Sequence, residues 1–303
     1  MLEVPTPLTP AALAELFRSH GRLDGDLARN LEGWLRDPET IPRYLDLVPA
    51  PLAGETRLLE VGCYQPTVGY YFALGWRDVV GVFKDVGEGT AVNGYSGDKG
   101  EHVRLIMADV ETEQLPVADG WADAVVMMQV WEHFALDPMK ALWEVNRVLK
   151  PGGRFVLSTP NGACWLYAMR IALGTAAWGG MEFTGFSTNR HNRLYDTAEM
   201  AVILRQAGFD VTECTSREYS RPRMDLRQRI FRLGLRLFDA AAALVSGRRR
   251  ERELTLVIRA TKQGAPLQRF PASLYLSESD WPGVSAERDR VLAARATAKS
   301  GER

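Results

Sequence analysis

The sequence predicts an α/β fold built on an open, doubly wound and mostly parallel sheet. The stretch from Arg57 to Phe83 contains an apolar run, a turn that begins at Gly62, a helical segment and a second apolar run. That order is typical of the opening half of a βαβ unit. A further apolar run, Asp123 to Met128, is expected of a central parallel strand covered on both faces. A fold of this kind binds its ligand beyond the carboxyl ends of its strands.

The remaining elements follow from their patterns in chain order. Strands are predicted over residues 57–61, 78–83, 102–107, 123–128, 154–158, 209–215 and 254–260, and helices over 67–75, 137–149, 196–206 and 226–245. Asp137 before Pro138 and Asp196 three residues before Glu199 are N-cap signals for two of these helices. The Gly-rich stretch from Gly87 to Gly100 is predicted to be a loop, and 160–193 an irregular insertion.

These boundaries give a domain organisation. We expect a helical N-terminal flank over residues 1–50 and a central domain over 51–263. The central domain carries insertions at 160–193 and 217–252. The tail over 264–303 has few apolar residues and is expected to be loosely structured.

Composition excludes several classes. The chain has 303 residues, 46% of them hydrophobic, and a formal net charge of −1, which gives no global argument for nucleic-acid binding. Cys63, Cys164 and Cys214 lie far apart, which fits neither a disulfide framework nor a zinc site and favours a reducing cytoplasm. The first ten residues lack a signal-peptide pattern and no stretch approaches eighteen consecutive apolar residues, so secretion and membrane spanning are disfavoured.

Four co-linear motifs narrow the choice of family. The motifs are Leu58 to Cys63, Met107 to Val110 with Leu115-Pro116, Ala124 to His133, and Val148 to Gly153 with Ser158 to Asn161. Together they resemble class I S-adenosylmethionine-dependent methyltransferases over roughly residues 55–215. The resemblance implies a Rossmann-like sheet of seven strands with the last antiparallel, and S-adenosylmethionine held across the carboxyl ends of the first four strands.

The resemblance also implies roles for individual residues. Glu60 and Gly62 match the acid and first glycine of the family's first motif and would border the methionine part of the cofactor. Asp109 matches the acid that receives the adenine amino group, with the backbone of Val110 beside it. The fourth strand would line the cofactor and face the substrate through Met128, Gln129 and Trp131.

Two departures from the family pattern fall in the cofactor loops. Tyr64 and Pro66 stand where the family has its second and third glycines, and Phe83 stands where an acid normally binds the ribose hydroxyls. Tyr64 is expected to form one wall and to offer its hydroxyl to the cofactor carboxylate, while Asp85 or Glu88 reaches the ribose. Pro66 suits the first turn of a helix, whose free amides would then point at that carboxylate.

Methyl transfer from a sulfonium mainly requires positioning, and a weakly acidic acceptor such as a sugar hydroxyl also requires a base. His133 follows the fourth strand at the substrate end and is the first candidate. His191, just before the helix at Asp196, is the second. Each has a structural alternative, namely orienting or packing its loop. The four histidines look scattered and without paired carboxylates, so no metal site is predicted.

The two insertions suggest what the substrate is. The first contains aromatic residues suited to a sugar ring or a lipid-like group: Trp165, Tyr167, Trp178, Phe183 and Phe186. The Arg-rich helix over 226–245 has the composition of a helix lying on an anionic membrane, or of an ordinary solvated helix face.

The leading hypothesis is a cytoplasmic enzyme that O-methylates a glycan or a small secondary metabolite. The alternatives are a non-catalytic, partner-binding relative and a peripheral membrane protein acting on a lipid-linked substrate.

Overall fold

The computed structural model describes residues 46–63, 68–84, 93–96, 101–175, 191–218, 224–246, 251–267 and 274. Several predictions therefore fall outside the described residues. They concern nearly all of the N-terminal flank, most of the tail, and the side chains of Tyr64, Pro66, Asp85, Glu88, Trp178, Phe183 and Phe186.

The described chain forms a single sheet of eight strands. In chain order they are β1 (Arg57–Val61), β2 (Asp78–Phe83), β3 (Asn93–Ser96), β4 (His102–Met107), β5 (Ala122–Met128), β6 (Leu149–Pro160), β7 (Phe209–Arg217) and β8 (Thr255–Lys262). Their spatial order is β3-β4-β2-β1-β5-β6-β8-β7. Strands β4, β2, β1, β5 and β6 are parallel to their neighbours in that run, whereas β8 is antiparallel to both β6 and β7. The predicted seven-stranded sheet with an antiparallel last strand is thus confirmed.

Strand β3, which was not predicted, corrects the prediction that Gly87 to Gly100 is only a loop. Asn93–Ser96 pairs antiparallel with β4, from Asn93 opposite Leu105 to Ser96 opposite His102. A four-residue strand that contains Gly94 has no apolar alternation to reveal it. It forms because β4 would otherwise leave a row of backbone donors and acceptors unpaired at the sheet edge.

Within the described residues, five α-helices and one 3₁₀ turn connect the strands. The helices are α1 (Val68–Leu74), α2 (Pro138–Val148), α3 (Trp165–Ala172), α4 (Thr197–Gln206) and α5 (Leu226–Ser246), and the 3₁₀ turn is Trp131–His133. Both predicted N-caps are present: Asp137 accepts a hydrogen bond from the amide of Met139, and Asp196 from that of Glu199. Helix α3 corrects the prediction that 160–193 is irregular, because Trp165 and Met169 bury one helical face at i, i+4 spacing.

The core lies on both faces of the sheet. On β1, Leu59 belongs to the cluster beneath α2 and α4, while Leu58 belongs to the opposite cluster with Tyr71 and Trp76. Successive strand residues point to opposite faces, so both faces of β1 must be apolar. The sheet is therefore fixed by packing on two sides, and its carboxyl edge is a rigid platform.

The first residues of the predicted loose tail are bound to the domain. The amide of Leu267 donates to the carbonyl of Gln206 at 2.7 Å, and the Asn146 side chain donates to the carbonyl of Gly264 at 2.8 Å. Residues 264–267 thus close over the end of α4.

Candidate active site

A cavity of about 250 Å³ opens at the carboxyl edge of β1, β2, β4 and β5. This is the edge at which the sequence places a bound ligand. The lining combines apolar side chains with a few charged ones: Val61, Gly62, Cys63, Val82, Phe83, Lys84, Ala108, Asp109, Val110, Glu111, Val130, His133 and Phe134. The segments 64–67 and 85–92, which follow two of these strands directly, lie outside the described residues.

The turn after β1 is held close to the chain that follows β5. Gly62 has φ +79°, a conformation that side chains disfavour, and a Cβ built on it would lie 2.1 Å from Cγ2 of Val130. The amides of Gly62 and Cys63 both donate to the carbonyl of Val82 at 2.8 Å. Glycine at position 62 therefore leaves the backbone itself as part of the cavity wall.

Glu60 lies at the end of β1 but beneath the cavity surface. Its side chain is buried, and its carboxylate interacts with the Cys63 thiol, whose pKa is raised well above its usual value by burial and then by Glu60. Glu60 is not among the lining residues. It lies beneath the turn, where it interacts with the Cys63 thiol.

Asp109 follows β4 and faces the cavity. It is 3% exposed, its Oδ2 pairs with Lys84 Nζ at 2.9 Å, and its Oδ1 accepts a hydrogen bond from the amide of Glu111 at 3.1 Å. Val110 lines the cavity beside it. Each carboxylate oxygen has capacity for a further donor, so Asp109 can still receive an amino group from a ligand.

Glu111 is a site residue that the motif comparison missed. Its carboxylate accepts the backbone amides of Ala135, Leu136 and Asp137 at 3.1, 2.7 and 3.1 Å. Burial raises the pKa of Glu111 despite these donors. One carboxylate thereby fixes the segment between the 3₁₀ turn and α2 over the end of β4. This contact joins residues far apart in the sequence, so no local sequence pattern predicts it.

The end of β5 carries a strained residue. Gln129 has φ +55°, the single positive φ among the non-glycine residues that the structure describes. Its amide donates to the carbonyl of Ser158 at 2.9 Å and its side-chain nitrogen to the Ser158 hydroxyl at 3.2 Å. Met128 contacts the same hydroxyl through its sulfur at 3.5 Å. These contacts turn the chain sharply, so that Val130 and His133 line the cavity. Met128 and Gln129 themselves are not lining residues.

Trp131 takes a different place from the one predicted. It is 1% exposed, and its ring packs edge-on against Phe134 and Tyr195 at centroid distances of 5.4 and 5.6 Å. It is not a lining residue. The 3₁₀ turn rotates this ring into the core and presents His133, two residues later, to the cavity.

The two candidate histidines meet around a buried carboxylate. His133 Nε2 lies 3.9 Å and His191 Nε2 4.0 Å from Oε1 of Glu132, and the imidazole centroids are 5.0 Å apart. Burial raises the pKa of Glu132 to about 7, although a hydrogen bond from the Thr159 hydroxyl at 3.0 Å lowers it. The expectation of scattered histidines without carboxylate partners is therefore wrong for this pair.

Asn192 brings the two histidines together. Its amide donates to the carbonyl of Glu132 at 2.7 Å, and its side chain donates to the carbonyl of His133 at 2.9 Å across 59 residues of sequence. The adjacent Glu132-His133 pair was visible in the sequence, but nothing in the spacing linked it to His191. The link is made by the path of the chain after β6.

Aromatic residues of the first insertion divide into two roles. Trp165 is buried beneath Arg232, whose guanidinium lies 5.2 Å from its ring centroid, so it is part of the packing between α3 and α5. Tyr167 is half-buried, and its pKa is raised by burial first and, among smaller causes, by the charge of Glu132. Trp165 is therefore buried in the core, whereas Tyr167 keeps part of its side chain accessible.

Helix α5 turns its charged face toward the domain. Arg232 pairs with Glu218 and Glu253, and Asp239 receives the guanidinium of Arg252 at 2.8 and 3.1 Å. The opposite face carries an apolar stripe whose members are 61% to 89% exposed: Leu226, Ile230, Leu233, Leu237 and Leu244. No helix among the described residues is both long and apolar enough to cross a membrane.

Comparison with known proteins agrees with this architecture. A family model described as a methyltransferase domain matches residues 30–214. The chain is 29% identical over 180 residues to a protein of Mycolicibacterium smegmatis described as a probable S-adenosylmethionine-dependent methyltransferase, covering 59% of this chain and 60% of that one. It is 31% identical over 160 residues to a ubiquinone biosynthesis O-methyltransferase of Ruegeria pomeroyi, covering 53% and 62%.

The chain therefore spans about three fifths of the length of these curated relatives. Among solved structures, an S-adenosylmethionine-dependent methyltransferase of Mesorhizobium loti matches with a TM-score of 0.43 and 17% identity, covering 73% of this chain and 96% of that one.

Proposed function

We propose that this chain, which belongs to the class I S-adenosylmethionine-dependent methyltransferases, transfers the methyl group of that cofactor to an oxygen atom of a glycan or a small metabolite. The observation that carries the proposal is the cavity at the carboxyl edge of the sheet, with Gly62 and Asp109 in its wall and His133 at its rim. The proposed cofactor-binding surface and the proposed proton acceptor thus lie in the same cavity.

The cavity residues fit the cofactor that the family implies. At Gly62 the gap to Val130 leaves no space for a Cβ, so a ligand there meets bare backbone. Asp109 offers a buried carboxylate suited to an adenine amino group, and Val110 adds backbone beside it. S-adenosylmethionine supplies an electrophilic methyl group on a sulfonium when it is bound.

The residues around His133 supply what a hydroxyl acceptor requires. A hydroxyl acceptor that takes up the methyl group must give its proton to a base. The imidazole of His133 lines the cavity, and the ring centroid of His191 lies 5.0 Å from that of His133. We assign the proton to Nε2 of His133, with His191 as the second candidate.

An oxygen acceptor is supported by two observations. One of the relatives carries the name of an O-methyltransferase. An imidazole pair beside a buried carboxylate is useful chiefly when the acceptor must lose a proton. Tyr167 on α3 keeps a partly exposed aromatic side chain in the first insertion, which suits a sugar ring or an aromatic metabolite.

Calorimetry with S-adenosylmethionine and S-adenosylhomocysteine tests the first half of the proposal. Heat of binding for both, followed by transfer of a labelled methyl group to hydroxyl compounds but not to amines, would support it. Binding without transfer to any hydroxyl in a panel of glycans and phenols would contradict the acceptor assignment.

The non-catalytic alternative has two specific observations in its favour. Lys84 occupies one oxygen of Asp109, and Phe83 stands where the family has its ribose-binding acid. If these residues exclude the cofactor, neither compound gives heat of binding, and the domain then serves as a partner-binding module.

We further propose that the enzyme works in the cytoplasm at an anionic membrane surface, on a lipid-linked or lipophilic acceptor. At 3.6 residues per turn the apolar stripe of α5 falls within an arc of about 60° and runs for about 27 Å. The exposed Arg227 and Arg229 border it. Exposed leucines between arginines are the combination that binds the interface of an anionic bilayer.

Vesicle sedimentation tests this surface. Wild-type chain should pellet with phosphatidylglycerol vesicles and much less with phosphatidylcholine vesicles, and Leu233→Ser with Leu237→Ser should abolish pelleting. Leu52→Ser is the control, since Leu52 is 58% exposed and lies outside α5. Equal loss in the control, or no pelleting of wild type, would contradict the proposal.

A further inference from the structure

We propose that Glu132, His133 and His191 form a binding site for one divalent transition-metal ion, with Zn²⁺ as the best match. One carboxylate oxygen and two imidazole nitrogens lie within 4.8 Å of one another. The existence of the site is independent of the proposed reaction. The role of the ion in that reaction rests on the proposed function.

The distances are close to those that a bound ion requires. Metal–ligand bonds of about 2.0–2.1 Å in a tetrahedral site set neighbouring ligand atoms about 3.3 Å apart. The Glu132 oxygen is 3.9 Å from one imidazole nitrogen and 4.0 Å from the other. Small side-chain rotations would close the difference, and His191 has room to make them because its side chain is 46% exposed.

The neighbours of the three groups resemble the supporting shell of a metal site. Thr159 donates to the other oxygen of Glu132, which leaves Oε1 directed at the imidazoles. Asn192 ties the backbone of its own loop to the carbonyls of Glu132 and His133. Metal ligands in proteins are oriented by such outer contacts, which here are already made.

The donor set selects the ion. Two imidazoles and one carboxylate suit Zn²⁺ and its first-row neighbours, whereas Mg²⁺ and Ca²⁺ prefer oxygen ligands. Three protein ligands leave at least one coordination position open, which is the arrangement of catalytic rather than structural zinc. Because His133 lines the cavity, an ion held by these residues would lie next to the space where an acceptor would bind.

An ion there would change how the acceptor is activated. A hydroxyl oxygen in the open position would be polarised by the cation, which lowers the pKa of the hydroxyl and allows its proton to leave to solvent. The imidazole of His133 would then act as a ligand instead of taking the proton itself. Dependence of activity on metal separates the two routes.

Metal binding itself provides the test. The intact 303-residue chain is stripped with EDTA, ZnCl₂ is titrated by calorimetry, and CoCl₂ is titrated by visible absorption, which reports the geometry around the ion. We expect one Zn²⁺ per chain. We also expect binding weakened by on the order of 100-fold or more in His191→Ala and by about 10-fold in Thr159→Val, the scale on which ligand and outer-shell losses act.

His102→Ala is the matched control, because His102 lies on β4 outside the cluster and is exposed. Equal Zn²⁺ affinity in wild type and His191→Ala, or equal loss in His102→Ala, would overturn the inference. S-adenosylmethionine calorimetry on the stripped chain keeps the two proposals apart. If S-adenosylmethionine gives heat of binding but Zn²⁺ does not bind, only the metal site is contradicted. If Zn²⁺ binds but S-adenosylmethionine gives no heat of binding, only the proposed reaction is contradicted.

Discussion

The cofactor side and the acceptor side of the cavity are built in different ways. Gly62 and Asp109 each stand just after a parallel strand, so their meeting follows from the strand order alone. Glu132 and His191 come from segments joined by the hydrogen bonds of Asn192, far along the chain. The first side is therefore set by the sheet itself, whereas the second depends on hydrogen bonds from a distant segment of the chain.

The largest effect is expected on the cofactor side, at Gly62. Gly62→Ala should cost about 2 to 5 kcal/mol of unfolding free energy, the sum of left-handed backbone strain and overpacking against Val130. It should also abolish measurable cofactor binding. Urea denaturation and calorimetry measure the two losses.

Gly54→Ala is the control for the backbone contribution. Gly54 has φ +85°, and a Cβ placed on it would meet nothing within 4 Å, so only strain of about 1 to 2 kcal/mol should remain. Equal losses in the two variants would mean that the contact with Val130 is unimportant and that the turn is not part of the binding surface.

The next effect belongs to the acceptor side. His133→Ala should lower turnover roughly a hundredfold, about 2.7 kcal/mol of barrier, while the dissociation constant for S-adenosylmethionine stays within about twofold. Steady-state kinetics and calorimetry on the same preparation make the comparison. Full activity in this variant together with loss in His191→Ala would transfer the role to His191.

A smaller effect is expected at Asp109. Asp109→Ala should weaken cofactor binding by roughly 1 to 3 kcal/mol, because a buried hydrogen-bonding partner is lost. Glu101→Ala is the matched control: Glu101 is also buried and paired with a basic residue, Arg77, but at the amino end of the sheet. If both changes weaken the cofactor equally, the effect is one of general stability and the adenine assignment is wrong.

The sequence predicted the strand ends and helix caps far better than the long-range contacts around the cavity, for a physical reason. Strand ends and N-caps such as Asp137 are set by periodicity and by residues within one turn, so the pattern contained them. The burial of Trp131 and the clamp made by Glu111 depend on which distant segments pack above β5. A pattern that spans a few residues does not carry that information.

The smallest expected effect is on the free energy of unfolding, when single leucines on the two faces of α5 are replaced. Leu237→Ser should change the free energy of unfolding by less than about 0.5 kcal/mol, because Leu237 is 65% exposed and contributes little to the core. Leu235→Ser, on the half-buried face that carries Asp239, should cost about 1 to 2 kcal/mol. Urea denaturation of both variants measures the difference. Equal costs would mean that the apolar stripe is packed in solution and unavailable to a membrane. An unchanged free energy of unfolding in Leu237→Ser would instead show that the exposed stripe does not contribute to folding stability.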